Sequence, residues 1–276
     1  MSPESSATPR NPITQKPVVY TLPGTDAVTV RRDIEYHVAD SGPLTLDLYQ
    51  PPDATRGERR PAVVFVSGFS DVGAQKVIGC RFKEMESSIS WARLAAASGL
   101  AAIVYANGTD PAADARALLG YVRDHAASLG VDEKRIGLWA CSGHVPNALS
   151  LLMEDRARVA CAAFCYGFML DAGGSTIVAD ASTTYRFVNP CAGKSVADVP
   201  RGTPLFVVRA GRDEFPRLNE TIDGFVAAAL AANLPMTVVN YAGGSHAFDI
   251  VDDSDASREV VKQILAFLRG HLRRGV

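Results

Sequence analysis

Apolar residues fall into short runs of strand length, separated by longer segments with helical periodicity. The runs at 62–66 and 100–105 are uninterrupted, which is typical of strands buried on both faces of a parallel sheet. This pattern predicts strands at 18–22, 28–38, 44–49, 62–66, 100–105, 135–140, 159–166, 204–209 and 236–241. It predicts helices over 87–98, 111–129, part of 214–232 and 254–274, with a long loop over 67–84.

The first strands differ from the others in their pattern. Residues 28–38 and 44–49 alternate apolar and polar side chains on either side of the turn 40–43, which predicts an antiparallel hairpin. From residue 62 onward, strands and helices alternate. The predicted fold class is therefore α/β, with a doubly wound, mostly parallel sheet that follows an N-terminal antiparallel hairpin.

The sequence predicts one large domain over residues 27–276. Residues 1–26 form a tail and lead-in, of which the Ser/Pro-rich stretch 1–17 is expected to be disordered. Residues 167–203 are rich in Gly, Ser and Thr and have weak periodicity, yet they are too long for a plain loop. We expect this segment to form a small cap or lid over the sheet edge.

Composition narrows the classes of function. The net charge of the 276 residues is −2, which gives no basic excess for nucleic acid. The five cysteines show no zinc spacing, and no cofactor or metal is expected. Residues 1–17 lack a secretory signal and the apolar run 159–170 is too short to cross a bilayer, so we expect a cytoplasmic protein without membrane contact. The expected partner is a small molecule, with a homodimer left open.

The stretch 135–151 carries the strongest chemical signal. A short apolar run ends at Ala140, and helical periodicity begins directly after Ser142. A strand that turns into a helix this abruptly leaves one side chain on the corner, which is the arrangement of a nucleophile elbow. The usual pattern has small residues two positions before and after the nucleophile. Ala140 satisfies the first position, and His144 stands where glycine is expected.

An alternative frame makes Cys141 the nucleophile. Gly143 would then be suitably small, but the large Trp139 would lie two residues before the corner and would crowd it. The Ser142 frame is favoured for this reason.

A serine hydroxyl needs a base, and the base needs a group that orients it. His246 directly follows the last predicted strand, in a loop with two glycines, and is the candidate base. His144 is too close to Ser142 along one helix to face it. Asp213 follows the strand 204–209 and is the candidate acid, with Glu214 in reserve. The remaining histidines, at 37, 125 and 271, are expected to be surface or packing residues.

A serine nucleophile of this kind serves acyl transfer, which also needs N–H donors for the negatively charged oxygen, the oxyanion, that forms when the carbonyl is attacked. The backbone N–H of Gly143 is one candidate, and the loop after strand 62–66 should supply the other, through Phe69. Further candidates for contact with the substrate come from that loop, from the elbow and from the 167–203 insertion. They are Gly68, Ser70, Cys141, His144, Met169, Tyr185 and Phe187.

The chain resembles the α/β-hydrolase superfamily in its serine esterase and dienelactone-hydrolase-like branch. The resemblance spans about residues 27–276 and rests on three motifs, RIGLWACSG, AGRDE and GGSHAFD. It implies the α/β-hydrolase fold and a triad in the chain order Ser142, Asp213, His246.

The expected function is hydrolysis of carboxylic esters through an acyl-enzyme intermediate. Two alternatives stay open from the sequence. Cys141 would act as the nucleophile on a lactone, as in true dienelactone hydrolases. Otherwise the chain would be a non-catalytic ligand-binding member of the fold, if the bulk of His144 distorted the elbow.

Overall fold

The described residues of the computed structural model, 10–55, 57–154 and 158–273, form one eight-stranded sheet. Its strands are β1 (Thr29–Ala39), β2 (Gly42–Gln50), β3 (Arg60–Phe65), β4 (Ala101–Tyr105), β5 (Val131–Cys141), β6 (Cys161–Cys165), β7 (Leu205–Ala210) and β8 (Met236–Tyr241). The helices are α1 (Asp71–Ile78), α2 (Glu86–Ala97), α3 (Pro111–Asp124), α4 (Ala126–Leu129), α5 (Val145–Leu152), α6 (Ile177–Tyr185), α7 (Leu218–Ala231), α8 (Phe248–Val251) and α9 (Asp255–Arg273).

The strand order is β1-β2-β4-β3-β5-β6-β7-β8. The β1–β2 and β2–β4 pairs are antiparallel, and every pair from β4–β3 to β7–β8 is parallel. The predicted hairpin and the doubly wound, mostly parallel sheet are therefore confirmed. In this topology, the carboxyl ends of β3, β5, β7 and β8 lie along one edge of the sheet, where α/β proteins place their binding sites.

Both faces of the sheet are covered, because the central strands are apolar on both sides. One core cluster joins the sheet to α3, α5 and α7, through residues such as Leu118, Leu149 and Phe225. The second joins the opposite face to α2 and α9, through residues such as Trp91 and Leu265. Helix α9 is strongly amphipathic, which explains why its pattern was easy to predict.

Several element predictions were wrong. The predicted loop 67–84 contains helix α1, whose pattern is weak because Gly73 and polar residues interrupt it; the helix ends at Gly79, which has a φ of 80°. The single helix predicted over 111–129 is divided at His125, whose backbone leaves the helical region. Strand β5 begins at Val131, which pairs with Arg60, earlier than the predicted position 135.

The N-terminal segment also differs from its prediction. Residues 18–22 form no strand; the Val19 N–H donates instead to the carbonyl of Asp249. Within the predicted disordered stretch 1–17, residues 1–9 lie outside the described residues. Residues 10–17 contain a 3-10 turn over Pro12–Gln15, in which Thr14 is fully buried. The prediction of disorder is therefore wrong for residues 10–17.

A buried lysine connects the hairpin to the segment after α1. Lys83 Nζ lies 2.8 Å from Asp47 Oδ1, 2.7 Å from Asp33 Oδ1 and 3.0 Å from Thr45 Oγ1. The side chains of Lys83 and Asp47 are 3% and 4% exposed, whereas that of Asp33 is 66% exposed. Lys83 is therefore the nearer and more deeply buried cation beside the Asp47 carboxylate, and the half-exposed Arg32 lies 3.6 Å from Asp47 Oδ2.

We expect Lys83→Met to lower the free energy of unfolding by about 3–5 kcal/mol, because Asp47 would stay buried with only the half-exposed Arg32, 3.6 Å from its Oδ2, as a cation near it among the described residues. Urea denaturation of the purified protein measures this loss. Asp33→Asn is the matched control: it removes the exposed partner of the same lysine, and its cost should stay below about 1 kcal/mol. Equal costs for both variants would contradict the assignment.

Candidate active site

Ser142 lies on the corner between β5 and α5. Its φ is 53°, a left-handed value that non-glycine residues seldom adopt, and residues Ser142–His144 form a 3-10 turn before the helix. The turn is thus a strained elbow of the kind that the sequence predicted. Its shape is kept although His144 occupies the position where glycine was expected.

His246 joins Ser142 to Asp213. The distance from His246 Nε2 to Ser142 Oγ is 2.9 Å, and that from His246 Nδ1 to Asp213 Oδ2 is 2.7 Å. Because a carboxylate only accepts, Nδ1 carries the proton, and Nε2 is then free to accept from the serine hydroxyl. The Asp213 side chain is fully buried, and its second oxygen accepts from the N–H of Phe215. Glu214 is exposed and forms no contact with His246 among the described residues.

One glycine lets the acid and histidine loops approach each other, and a second allows the tight turn after β8. A Cβ on Gly211 would lie 2.4 Å from the carbonyl oxygen of Ala242, and one on Gly244 would lie 2.3 Å from the ring of Tyr241. The Arg212 N–H donates to the carbonyl of Gly244 over 2.8 Å. The position of His246 relative to Asp213 is therefore fixed by backbone contacts as well as by the side-chain hydrogen bond.

The loop after β3 packs directly on the elbow. A Cβ on Gly68 would lie 2.6 Å from the carbonyl oxygen of Gly143, so only glycine fits there. On the other side, a Cβ on Gly143 would lie 2.6 Å from the ring of Phe69. The two N–H groups predicted to bind an oxyanion, of Gly143 and Phe69, thus belong to segments in contact.

Side chains fix most polar groups of this loop. The carbonyl of Ser67 accepts from Asn147 Nδ2 over 2.7 Å, and that of Phe69 accepts from Asn107 Nδ2 over 2.9 Å. Among the hydrogen bonds of the described residues, none is donated by the N–H of Phe69 or of Gly143. Neither N–H group is therefore committed to another group in the described part of the chain.

Cys141 has no base. It lies beside the elbow, but the histidine of the site is bonded to Ser142. Burial, followed by the nearby Asp249 carboxylate, raises the pKa of the Cys141 thiol, so the reactive thiolate is disfavoured.

A cavity of about 150 Å³ opens next to Ser142 and His246. Its walls are mainly aromatic and aliphatic, although Lys83, Asp249 and a few serines also border it. The large apolar side chains that line it are Phe65, Phe82, Met85, Trp91, Tyr105, Trp139, Tyr166 and Ile250. Cys141 and His144, both predicted to contact substrate, also line it. An apolar cavity of about this size holds a benzene-sized group.

Several other predicted contact residues do not line this cavity. Met169 is fully buried in the core, and Phe187 packs against the elbow through a bridge to Phe69. Tyr185 is 37% exposed and touches Phe215, which in turn lies 4.4 Å from the His246 ring. Ser70 precedes α1 and donates to the carbonyl of Gly108.

Sequence reasoning missed the floor of the cavity. The Asp249 carboxylate, which is almost fully buried, accepts from Tyr166 Oη over 2.5 Å and from Trp91 Nε1 over 2.7 Å. Tyr166 also packs edge-on against the His246 ring, at 4.9 Å between centroids. The position of Tyr166 directly after β6 could have indicated a residue of the site. Trp91 lies in helix α2, whose pattern gives no such indication.

Within the described ranges 10–55, 57–154 and 158–273, no helix is long and apolar enough to span a bilayer. The same residues contain no group of three or more His, Cys, Asp or Glu side chains that could hold a metal ion.

Comparison with known proteins gives matches at the level of structure. No family model matches the sequence, and no curated protein matches it. Among solved structures, a thermophilic esterase from the planctomycete Thermogutta terrifontis superposes with a TM-score of 0.63 at 21% identity, over 92% of this chain and 97% of its own. Further structures of that esterase carry propionate or butyrate, or are phosphorylated by paraoxon.

Two α/β hydrolases from metagenomes are also similar. The one from the deep-sea Medee basin has a TM-score of 0.63 at 18% identity, over 90% of this chain and 99% of its own. The one from Lake Arreo, a serine-to-alanine mutant, has a TM-score of 0.69 at 17% identity, over 91% of this chain and 87% of its own. The narrower resemblance to dienelactone hydrolases stays a prediction. The sheet order, the elbow and these similarities together establish that the chain has the α/β-hydrolase fold.

Proposed function

We propose that this chain is a serine hydrolase that cleaves carboxylic esters with short acyl groups. The observation that carries the proposal is the pair of hydrogen bonds on His246, 2.9 Å to Ser142 Oγ and 2.7 Å to Asp213 Oδ2. A hydroxyl, an imidazole and a buried carboxylate in this arrangement activate a nucleophile for acyl transfer. The similarity to the Thermogutta terrifontis esterase supports the same reaction class.

In this mechanism, Ser142 Oγ attacks the ester carbonyl while its proton passes to His246 Nε2. Asp213 stabilises the resulting imidazolium and holds its orientation. The N–H groups of Gly143 and Phe69 donate to the oxyanion. His246 then protonates the leaving alkoxide, and the acyl group stays on Ser142. Water, deprotonated by the same imidazole, hydrolyses the acyl-enzyme and restores the hydroxyl.

The residues around the site have supporting roles in the proposal. Residues 167–203 act as a small cap within the single domain 27–276, since Phe187 of this segment pairs with Phe69 beside the elbow. The apolar cavity takes the acyl chain, and its aromatic floor limits the length of that chain.

A fluorophosphonate probe tests the nucleophile directly. Incubation of the protein with the probe, followed by peptide mass spectrometry, should find the label on Ser142, because phosphonylation needs the same activated hydroxyl as ester cleavage. A protein that hydrolysed esters but was inactivated by iodoacetamide at Cys141, without fluorophosphonate labelling, would favour the cysteine alternative. The absence of both labelling and turnover would favour a binding protein.

The size of the cavity predicts the acyl preference. With p-nitrophenyl esters of increasing chain length, kcat/KM should be highest for acyl groups of about four to six carbons, a benzene-sized volume. It should fall by about tenfold or more at ten carbons, because a filled apolar site accommodates added methylenes poorly.

Two variants connect this preference to the cavity. Met85→Ala enlarges a wall of the cavity and should move the optimum to longer chains. Tyr185→Ala is the control, since this residue lies outside the cavity, and it should leave the optimum unchanged. A wild-type preference for decanoate over butanoate would contradict the placement of the acyl chain.

A further inference from the structure

His144 occupies the elbow position where a glycine is usual, and its side chain has a specific partner. The Gly68 N–H donates to His144 Nδ1 over 2.9 Å, across the contact between the elbow and the loop after β3. The two backbones are close as well, since a Cβ on Gly68 would lie 2.9 Å from His144 Cα. The imidazole therefore bridges the two segments that carry the proposed oxyanion donors.

The His144 ring is held in place and uncharged. Phe69 and Phe82 pack edge-on against it, with centroids 4.9 and 4.8 Å away. Burial lowers the pKa of His144 to about 4, so the ring is neutral near pH 7. Because Nδ1 accepts from an N–H, the proton of the neutral ring lies on Nε2. This is the tautomer that can hold the loop.

The bond to His144 matters because Gly68 is the residue of this loop with the greatest backbone freedom. Its carbonyl accepts from the Val188 N–H over 2.8 Å, which fixes the peptide group between Gly68 and Phe69. Its N–H is fixed only by His144 among the hydrogen bonds of the described residues. With both peptide groups of Gly68 fixed, the direction of the Phe69 N–H is fixed too.

We propose that His144 is a positioning residue that holds the oxyanion loop through Gly68, so that the Phe69 N–H is oriented before the ester arrives. The inference rests on the proposed function for its catalytic consequence, but the contact itself can be tested without turnover. Because donors aimed at a developing charge act in the transition state, losing this contact should lower kcat and leave KM nearly unchanged.

A matched pair of variants tests this role. His144→Leu keeps apolar bulk and removes the acceptor, and we expect kcat to fall by about 10- to 100-fold with KM within about threefold. His144→Asn places an amide oxygen near the position of Nδ1, and it should recover most of the lost kcat. A residue that only filled space would show the reverse order, since leucine replaces more of the apolar contact with Phe69 and Phe82.

Two measurements do not depend on turnover. Amide hydrogen exchange at Gly68 should be about tenfold faster in His144→Leu than in the wild type, and should be slow again in His144→Asn. Nitrogen NMR of the wild-type protein should show an unprotonated Nδ1 on His144, which needs no variant to fold. A proton on Nδ1, or unchanged exchange and kcat in His144→Leu, would overturn the inference. If the wild type cleaved no ester, that result alone would contradict the proposed function. The exchange and NMR measurements would still show whether His144 accepts from the Gly68 N–H.

Discussion

Ser142→Ala is expected to lower kcat for a p-nitrophenyl ester by about 10⁴-fold or more. The substitution removes the oxygen that attacks the carbonyl, and His246 is then left without a nucleophile to deprotonate. A residual rate above the uncatalysed reaction should persist if the proposed oxyanion donors, the N–H groups of Gly143 and Phe69, act when water attacks. Steady-state kinetics measures the loss, and circular dichroism shows whether the variant is folded.

Cys141→Ala is the companion variant. It removes the thiol next to the elbow and leaves Ser142 with its base, so kcat should fall by less than about tenfold, through altered packing in the cavity. If Ser142→Ala kept the wild-type rate while Cys141→Ala lost it, the serine mechanism would be wrong and the cysteine alternative correct.

The alignment of the three proposed catalytic residues could be predicted because each follows a strand with a clear pattern. Strands β5, β7 and β8 are apolar or alternating, and their ends are marked by Ser142, Asp213 and the Gly-rich loop of His246. Parallel strands end at one edge of the sheet, so these motifs had to approach each other. The pattern could not predict the distances between the three side chains. These depend on backbone contacts such as that between Gly211 and Ala242.

The cavity could not be predicted in the same way. The prediction that Met169 and Tyr185 contact substrate followed from the expectation that residues 167–203 form a cap over the sheet edge. The cavity instead lies beside α2, where Trp91 meets Asp249 from a position 158 residues away along the chain. Contacts of this kind depend on how a helix packs on the sheet, and no local pattern encodes them.

The contact between His144 and Gly68 illustrates the same limit at short range. Strands β3 and β5 are neighbours, and Phe65 pairs with Trp139. The loops that follow these strands are therefore side by side, and the residue after Gly143 faces the glycine after Ser67. The sequence alone marked His144 as a departure from the motif and as a candidate for contact with substrate, but it indicated no partner for the imidazole. The register of β3 and β5 places His144 next to its hydrogen-bond partner, Gly68.

Asp213→Asn is expected to lower kcat by about 10³- to 10⁴-fold, although asparagine has nearly the same shape as aspartate. The carboxylate accepts the proton on His246 Nδ1 and so keeps Nε2 free to accept from Ser142. An amide can instead donate to Nδ1, which moves the ring proton to Nε2 and prevents the histidine from acting as a base. The Phe215 N–H would still hold the side chain in position, so the loss reports the tautomer rather than the fold. Steady-state kinetics at a pH near 8 measures the loss of catalysis, and urea denaturation shows whether the variant has also lost stability.

Glu214→Gln is the matched control for Asp213→Asn. It makes the same change from carboxylate to amide at the next residue, which is exposed and has no contact with His246 among the described residues. Its kcat should stay within about twofold of the wild type, since solvent screens an exposed charge. If Glu214→Gln abolished turnover while Asp213→Asn kept it, the orienting carboxylate would be Glu214, and the loop after β7 would have to rearrange in the active protein.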